Sequence, residues 1–255
     1  MRIAVSLVVV ALAAGPAGAQ FVAPGGTIPV VANLPGKAGT FWRSDVVLTN
    51  LGPATTTVVL ELFPELRGGT PAFTPPDPVQ VTLAAGEQRV LSNVVQSVFG
   101  LQNVKGALRF YTTDGAPLAF ASRTWTPGGG GSYGQSVEGV LVAGEAWIPD
   151  LEEDGFYRTN IGIFWPWDQA VEFTVTIHAG DGSVVAQRSV RFDGAGLQQL
   201  SLDPTLGVAS LPAGYAHIRC PEPALGFYAY ASRVDQATGD AVFRAAMGRL
   251  SDLGQ

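Results

Sequence analysis

The stretch Phe41-Trp42-Arg43-Ser44-Asp45-Val46-Val47-Leu48 is written a second time, in the same order of residue classes, as Phe156-Tyr157-Arg158-Thr159-Asn160-Ile161-Gly162-Ile163. Four more segments repeat around it. Val58 to Phe63 matches Phe173 to His178. Val81-Thr82-Leu83 through Val90-Leu91-Ser92 matches Val190-Arg191-Phe192 through Gln199-Leu200-Ser201. Gly106-Ala107-Leu108-Arg109-Phe110 matches Gly214-Tyr215-Ala216-His217-Ile218, and Ala121-Ser122-Arg123 recurs as Ala231-Ser232-Arg233. The offsets stay between 108 and 115 residues. Chance similarity does not hold one order over five segments, so the chain reads as a tandem repeat.

The repeated unit is a β unit. Val171, Phe173, Val175 and Ile177 alternate with Glu172, Thr174, Thr176 and His178, which gives one buried and one wet face. Asp114-Gly115 and Asp181-Gly182 supply the positive φ of tight turns. Helical periodicity is confined to Asn93–Phe99 and Asp203–Gly207, equivalent places where one helical turn would cross between sheets. A unit of this length has the size of an immunoglobulin-like sandwich. The expected fold class is therefore all-β, with two tandem immunoglobulin-like β-sandwich modules after a cleavable signal peptide. The expected boundaries are 1–19 for the signal peptide, 26–127 for module 1, 128–144 for a Gly-rich linker or strap, and 145–250 for module 2. The linker contains Gly128-Gly129-Gly130-Gly131, and Tyr133 to Val142 suits a strap. The copies disagree most over Pro64–Pro78, a Pro- and Gly-rich stretch that the second copy replaces with Asp181-Gly182.

Composition agrees with a turn-rich β protein. Of 255 residues, 47% are hydrophobic and only 14% charged, with 32 Gly and 18 Pro. The net charge of −6, without any run of Lys or Arg, disfavours nucleic acid and anionic lipid as partners. Met1 to Ala19 reads as a signal peptide: Arg2 as the positive start, Ile3–Ala14 as the apolar stretch, and Ala17-Gly18-Ala19 before a cut at Gln20. Twelve apolar residues are too few to span a bilayer. The mature protein is expected to be secreted or periplasmic, with no membrane insertion after signal cleavage. The single Cys, Cys220, excludes an intrachain disulfide and has a core residue's apolar neighbours.

The segment Asp45 to Pro53, with its Asn50-Leu51-Gly52 turn, and the following strand Thr55–Leu60 resemble the strand–"N-x-G" turn–strand of tandem bacterial secreted immunoglobulin-like repeats of uncharacterised function. The aromatic-Arg-[Ser/Thr]-[Asp/Asn] opening and the Ala-Ser-Arg strand resemble the same modules, over most of residues 27–250. The resemblance implies a β-sandwich in an extracytoplasmic setting and no particular chemistry. The second copy departs at the turn, where Trp165-Pro166-Trp167 stands.

The search for chemistry finds no catalytic, metal or cofactor set. His178 and His217 fall on polar strand faces, and no Gly-x-Ser-x-Gly turn accompanies them. Asp150, Glu152, Glu153 and Asp154 form the densest acidic cluster but lack the alternate-residue spacing of a calcium loop. The glycine run opens no helix and has no Gly-Lys-[Ser/Thr] after it. The repeated arginines, Arg43 with Arg158 and Arg123 with Arg233, are expected to be structural, bonding strand-end carbonyls or an Asp at the sandwich rim. All five tryptophans, Trp42, Trp125, Trp147, Trp165 and Trp167, lie near strand ends. Trp165, Trp167, Tyr133 and Trp125 are the candidate ligand-binding residues, because exposed aromatic faces stack on sugars or partner side chains. The leading expectation is a secreted non-enzymatic protein for adhesion, scaffolding or partner binding, with no cofactor and with a protein or glycan as partner. The alternatives are carbohydrate binding through exposed Trp and Tyr, or a periplasmic chaperone-like two-domain protein. An outer-membrane barrel is disfavoured by the Pro-rich stretch. Where the copies diverge, at Pro64–Pro78 and Trp165–Trp167, a specific ligand is expected before the shared arginines.

Overall fold

The computed structural model describes residues 22–249, Gly129 excepted, and is all-β. The proposed signal peptide lies outside the described residues. The first half contains β1 (Gly25–Pro35), β2 (Phe41–Asn50), β3 (Thr56–Pro64), β4 (Leu66–Arg67), β5 (Thr70–Pro71), β6 (Val79–Leu83), β7 (Gln88–Leu91), the helical turn α1 (Val94–Ser97), β8 (Val104–Thr112), β9 (Leu118–Gly128) and β10 (Gly131–Ser136). The second contains β11 (Leu141–Ala143), β12 (Glu145–Glu153), β13 (Tyr157–Trp165), β14 (Val171–Ala179), β15 (Val184–Phe192), β16 (Gly196–Ser201), β17 (Leu211–Arg219), β18 (Gly226–Asp235), β19 (Ala241–Ala245) and β20 (Met247–Gly248). A helical turn at Leu202–Leu206 follows β16 as α1 follows β7, and both cross to the next sheet.

Strand alternation decides which face is buried. On β2, Ser44, Val46, Leu48 and Asn50 turn inward while Arg43, Asp45, Val47 and Thr49 turn out. The inward set meets Val58, Leu60, Leu108 and Phe110 in the first core. In the first half, β7–β2–β9–β10 faces β6–β3–β8–β1, and β1 joins the two layers by pairing with both β8 and β2. Its register shifts between Ile28 and Val31, the irregularity that lets one strand turn the corner. In the second half, β16–β13–β18–β19 faces β15–β14–β17–β12, the same pairing order. Phe173 fills the second core against Phe192 and Phe227, at ring-centroid distances of 5.4 and 5.0 Å.

Buried Asn50 explains its turn. Its side-chain amide donates to the carbonyls of Ala54 and Ala84 at 2.8 and 3.0 Å, and its Oδ1 accepts from Gly52 N at 2.8 Å. Trp165 occupies the matching end of β13, and its indole N–H donates to the Gln169 carbonyl at 2.8 Å. One turn is held by an amide and the other by an indole, so the sequences differ while the strand path is kept.

The expected equivalence of Ala121-Ser122-Arg123 with Ala231-Ser232-Arg233 is off by one residue. Asp45 pairs with Arg123, whereas Asn160 pairs with Ser232 and Thr159 with Arg233. A one-residue slip sends a side chain to the opposite face. Arg123 therefore points outward, and Arg233 points inward across the sandwich.

The two halves meet over a broad seam. The outer face of β16–β13–β18 packs on the outer face of β1–β8–β3, where Phe164 lies 5.1 Å from Phe63 and 5.9 Å from Tyr228. Tyr230 is fully buried there, flat over Gly162 and stacked on Phe243 at 5.3 Å. The Pro64–Pro78 stretch clasps this seam. Glu65 bridges Leu197, and Leu66, 5% exposed, inserts into the second core against Gly196. Lys105 reaches Glu65 at 3.0 Å and donates to Gln199. The loop is long in the first half because it has a neighbour to grip; Asp181-Gly182 in the second half closes a plain hairpin. Much of the described part of 128–144 is paired or packed. Gly128 and Gly131 close the β9–β10 hairpin, Val137 is buried in the first core, and Leu141–Ala143 pairs with β18.

Candidate functional site

Of the predicted aromatic ligands, Trp165 is fully buried, while Trp167, Trp125 and Tyr133 are partly exposed. Trp165 has no exposed surface and packs edge-on against Phe173 at 5.7 Å. Trp167 is half-buried and donates to the Gly226 carbonyl at 2.8 Å. Trp125 lies on the outer face of β9, between the Arg43 and Arg123 guanidiniums at 4.8 and 5.9 Å from its ring centre. Its N–H donates to Asp45 Oδ2 at 2.7 Å. Tyr133 lies against the backbone of Gly128. Trp147 is stacked on His217 at 4.8 Å and covered by Arg249 at 4.9 Å. Of the predicted set, Arg43, Arg123 and Trp125 come together, while Tyr133, Trp165 and Trp167 lie elsewhere.

The arginines divide by face. Arg233 crosses the second sandwich to Asp150 Oδ1 at 2.7 Å and Glu152 Oε2 at 3.0 Å, and lies over Tyr157 at 5.1 Å. Arg244 takes the other oxygen of Asp150. A cavity of about 300 Å³ opens beside this network, lined by Asp150, Glu152, Arg233 and Tyr215 among others. Arg158, on the outer face of β13, lies near Glu153 instead, and burial lowers its pKa against the pull of that carboxylate.

The acidic cluster is thus dispersed by strand geometry. Asp150 and Glu152 are neutralised by arginines. Asp154 caps the turn by accepting from the Phe156 and Tyr157 N–H groups at 2.7 and 2.6 Å. Glu153 is buried and accepts from Thr159 N at 2.8 Å. Burial raises the Glu153 pKa, opposed by that N–H donor. A carboxyl whose folded pKa is raised binds its proton more tightly in the native state, so stability falls as pH rises from the unfolded value through the folded one. Glu153→Gln keeps the acceptor and removes the charge. It is expected to raise the melting temperature at pH 7 and leave it unchanged at pH 3.5, as read by calorimetry. An equal shift at both pH values contradicts this.

Sequence reasoning singled out the histidines only to dismiss a triad, and it missed that they share one surface. The outer face of β12–β17–β14 carries two cross-strand stacks, Trp147 with His217 and Tyr215 with His178, the latter at 4.6 Å and 4°. Burial holds His217 below the ordinary imidazole pKa, opposed by Glu145, whose Oε2 lies 3.7 Å from Nε2. The stacked rings use one another's faces, so this surface is a ribbed wall rather than an open aromatic platform. The signal was available as Trp147 and His217 at paired strand positions, but pairing registers are not visible in one strand's pattern.

No family model matches the chain, and no curated protein or solved structure matches it either.

Proposed function

We propose that this chain is an exported, non-enzymatic scaffold or partner-binding protein, built from two tandem immunoglobulin-like modules. The observation that carries it is the fate of the segments where the copies differ. Pro64–Leu66 at the start of the Pro64–Pro78 stretch is used inside the fold as the clasp on the seam, and Trp165–Trp167 is used as core and turn, while Arg67–Pro78 stays largely exposed. What remains for recognition is the two outer sheet faces and the exposed Arg67–Pro78 part of that loop. The recurring pairing order supports the tandem reading. In the first half β2 pairs with β7 and β3 with β8, and in the second β13 pairs with β16 and β14 with β17, as at the centre of an immunoglobulin sandwich. The flanking strands depart from that plan: β1 joins β8 and β9 joins β2. A protein partner fits better than a glycan, because Trp125 and Trp147 already have cations or rings on their faces.

The test is fractionation and turnover. The mature chain should appear outside the cytoplasm beginning at Gln20, and the purified protein should hydrolyse no ester, phosphate or glycoside substrate. Retention of the leader in a cytoplasmic protein sinks the export reading. Turnover abolished by one substitution at Asp150 or His217 sinks the non-enzymatic one.

A further inference from the structure

The seam inside the chain is an interface between two unlike faces: the outer face of a β6–β3–β8–β1-type sheet receives the outer face of a β7–β2–β9-type sheet. Each type also occurs once with no other sheet packed on it among the described residues. The free face of the receiving type is that of β12–β17–β14, and the free face of the inserting type is that of β7–β2–β9.

Strand registers identify matching positions. Phe63 pairs with Ala107 in the seam, and His178 pairs with Tyr215 at the same place on the free face. On the inserting side, Gly162 pairs with Tyr230 and Phe164 with Tyr228 in the seam; Val47 pairs with Ala121 and Thr49 with Ala119 on the free face. Phe63 and His178 are both large, but at the positions paired with them, and on the strand beside Val47 and Thr49, the sizes are exchanged. Within the seam, the receiving sheet offers Ala107 and the inserting sheet brings two tyrosines. On the free faces, the receiving sheet brings Tyr215 and the inserting sheet offers two alanines. The free inserting face carries one apolar row between polar neighbours, Thr49 and Gln88 on one side and the Asp45–Arg123 pair on the other. Val90, Val47 and Ala121 form a row across three strands, with Val90 55% exposed and Ala121 exposed.

We propose that these two free faces dock on each other between molecules, so that the histidine-bearing face of one chain receives the Val47–Ala121 face of a second copy. The occupant follows from the intramolecular seam, which joins the same two face types, and from the reversed size pattern that makes the free pair complementary. Such an interface is heterologous and does not close on itself after two subunits, so association continues head to tail. This inference rests on the reading of the halves as copies of one module.

Sedimentation velocity of the mature chain at pH 7.5 tests it. The weight-average mass is expected to rise beyond twice the monomer as concentration is increased into the hundreds of micromolar. Ala121→Arg and Tyr215→Arg, each on an outer strand face, should each give a monomer at all concentrations. An equimolar mixture of the two variants retains one good face of each type, and its mass should stop at a dimer. A single monomer mass for the unaltered chain overturns the proposal, as does a mixture that stays monomeric or a variant that still assembles. Export and turnover are read on other samples, so self-docking and the scaffold reading can fail separately.

Discussion

Replacing Gly162 by Val is expected to lower stability by about 3 kcal/mol, the upper range for forcing atoms into a packed interior. A Cβ at Gly162 would lie 2.1 Å from Cε1 and 2.1 Å from Cζ of Tyr230. The ring has no escape, because Tyr230 is fully buried and stacked on Phe243. Burial also drives the phenol pKa far upward, and the hydroxyl has no hydrogen-bond partner among the described residues. An aromatic ring laid over a cross-strand glycine is a known device for sealing the gap that glycine leaves. The first half solves the same position with Val47 opposite Ala121. Installing that pair by combining Gly162→Val with Tyr230→Ala should cost less than the sum of the single changes by at least about 1 kcal/mol. Urea unfolding of the four proteins measures the coupling. Strict additivity would show that the ring moves freely and that the seam is loose at its centre.

Much of this architecture could be read in the sequence, for a physical reason. Strand alternation and turn chemistry are local, so β2, β14 and the Asn50-Leu51-Gly52 turn were visible in their own residues. Cys220 is 4% exposed, as its apolar neighbours indicated. What escaped depends on contacts between distant segments. The Ala-Ser-Arg repeat is real as text, yet Arg123 and Arg233 face opposite ways because β9 and β18 pair one residue out of step. Trp165 looked like a turn residue beside a proline, but it closes the second core. Pro64–Pro78 looked like an open binding loop. Its Leu66 and Glu65 are committed to the other half, and no property of the loop itself reveals the neighbour it grips. The histidine face was hidden likewise, since each ring's partner lies on another strand.

The second large effect is expected at Lys105, the cation that closes the clasp. Its side chain is 19% exposed and that of Glu65 only 8%, so the pair at 3.0 Å is largely withdrawn from water. Removing one partner of such a pair strands the other charge, whereas replacing both by apolar groups removes the desolvation penalty with the attraction. Lys105→Met should therefore cost about 3 kcal/mol, at the lower end of that penalty, because Arg67 still reaches Glu65 Oε2 at 2.9 Å. Adding Glu65→Leu should recover most of the loss. The backbone tie from Glu65 N to the Lys105 carbonyl at 3.2 Å survives both changes, and Leu66 keeps its place in the second core. Arg67, already 66% exposed, is then left hydrated rather than buried. The seam joins the halves, so Lys105→Met should also separate their unfolding, with two calorimetric transitions where the unaltered chain gives one. A loss below about 0.5 kcal/mol, the range of solvated surface pairs, would show that Leu66 and the Phe63–Phe164 contact hold the clasp without the charge.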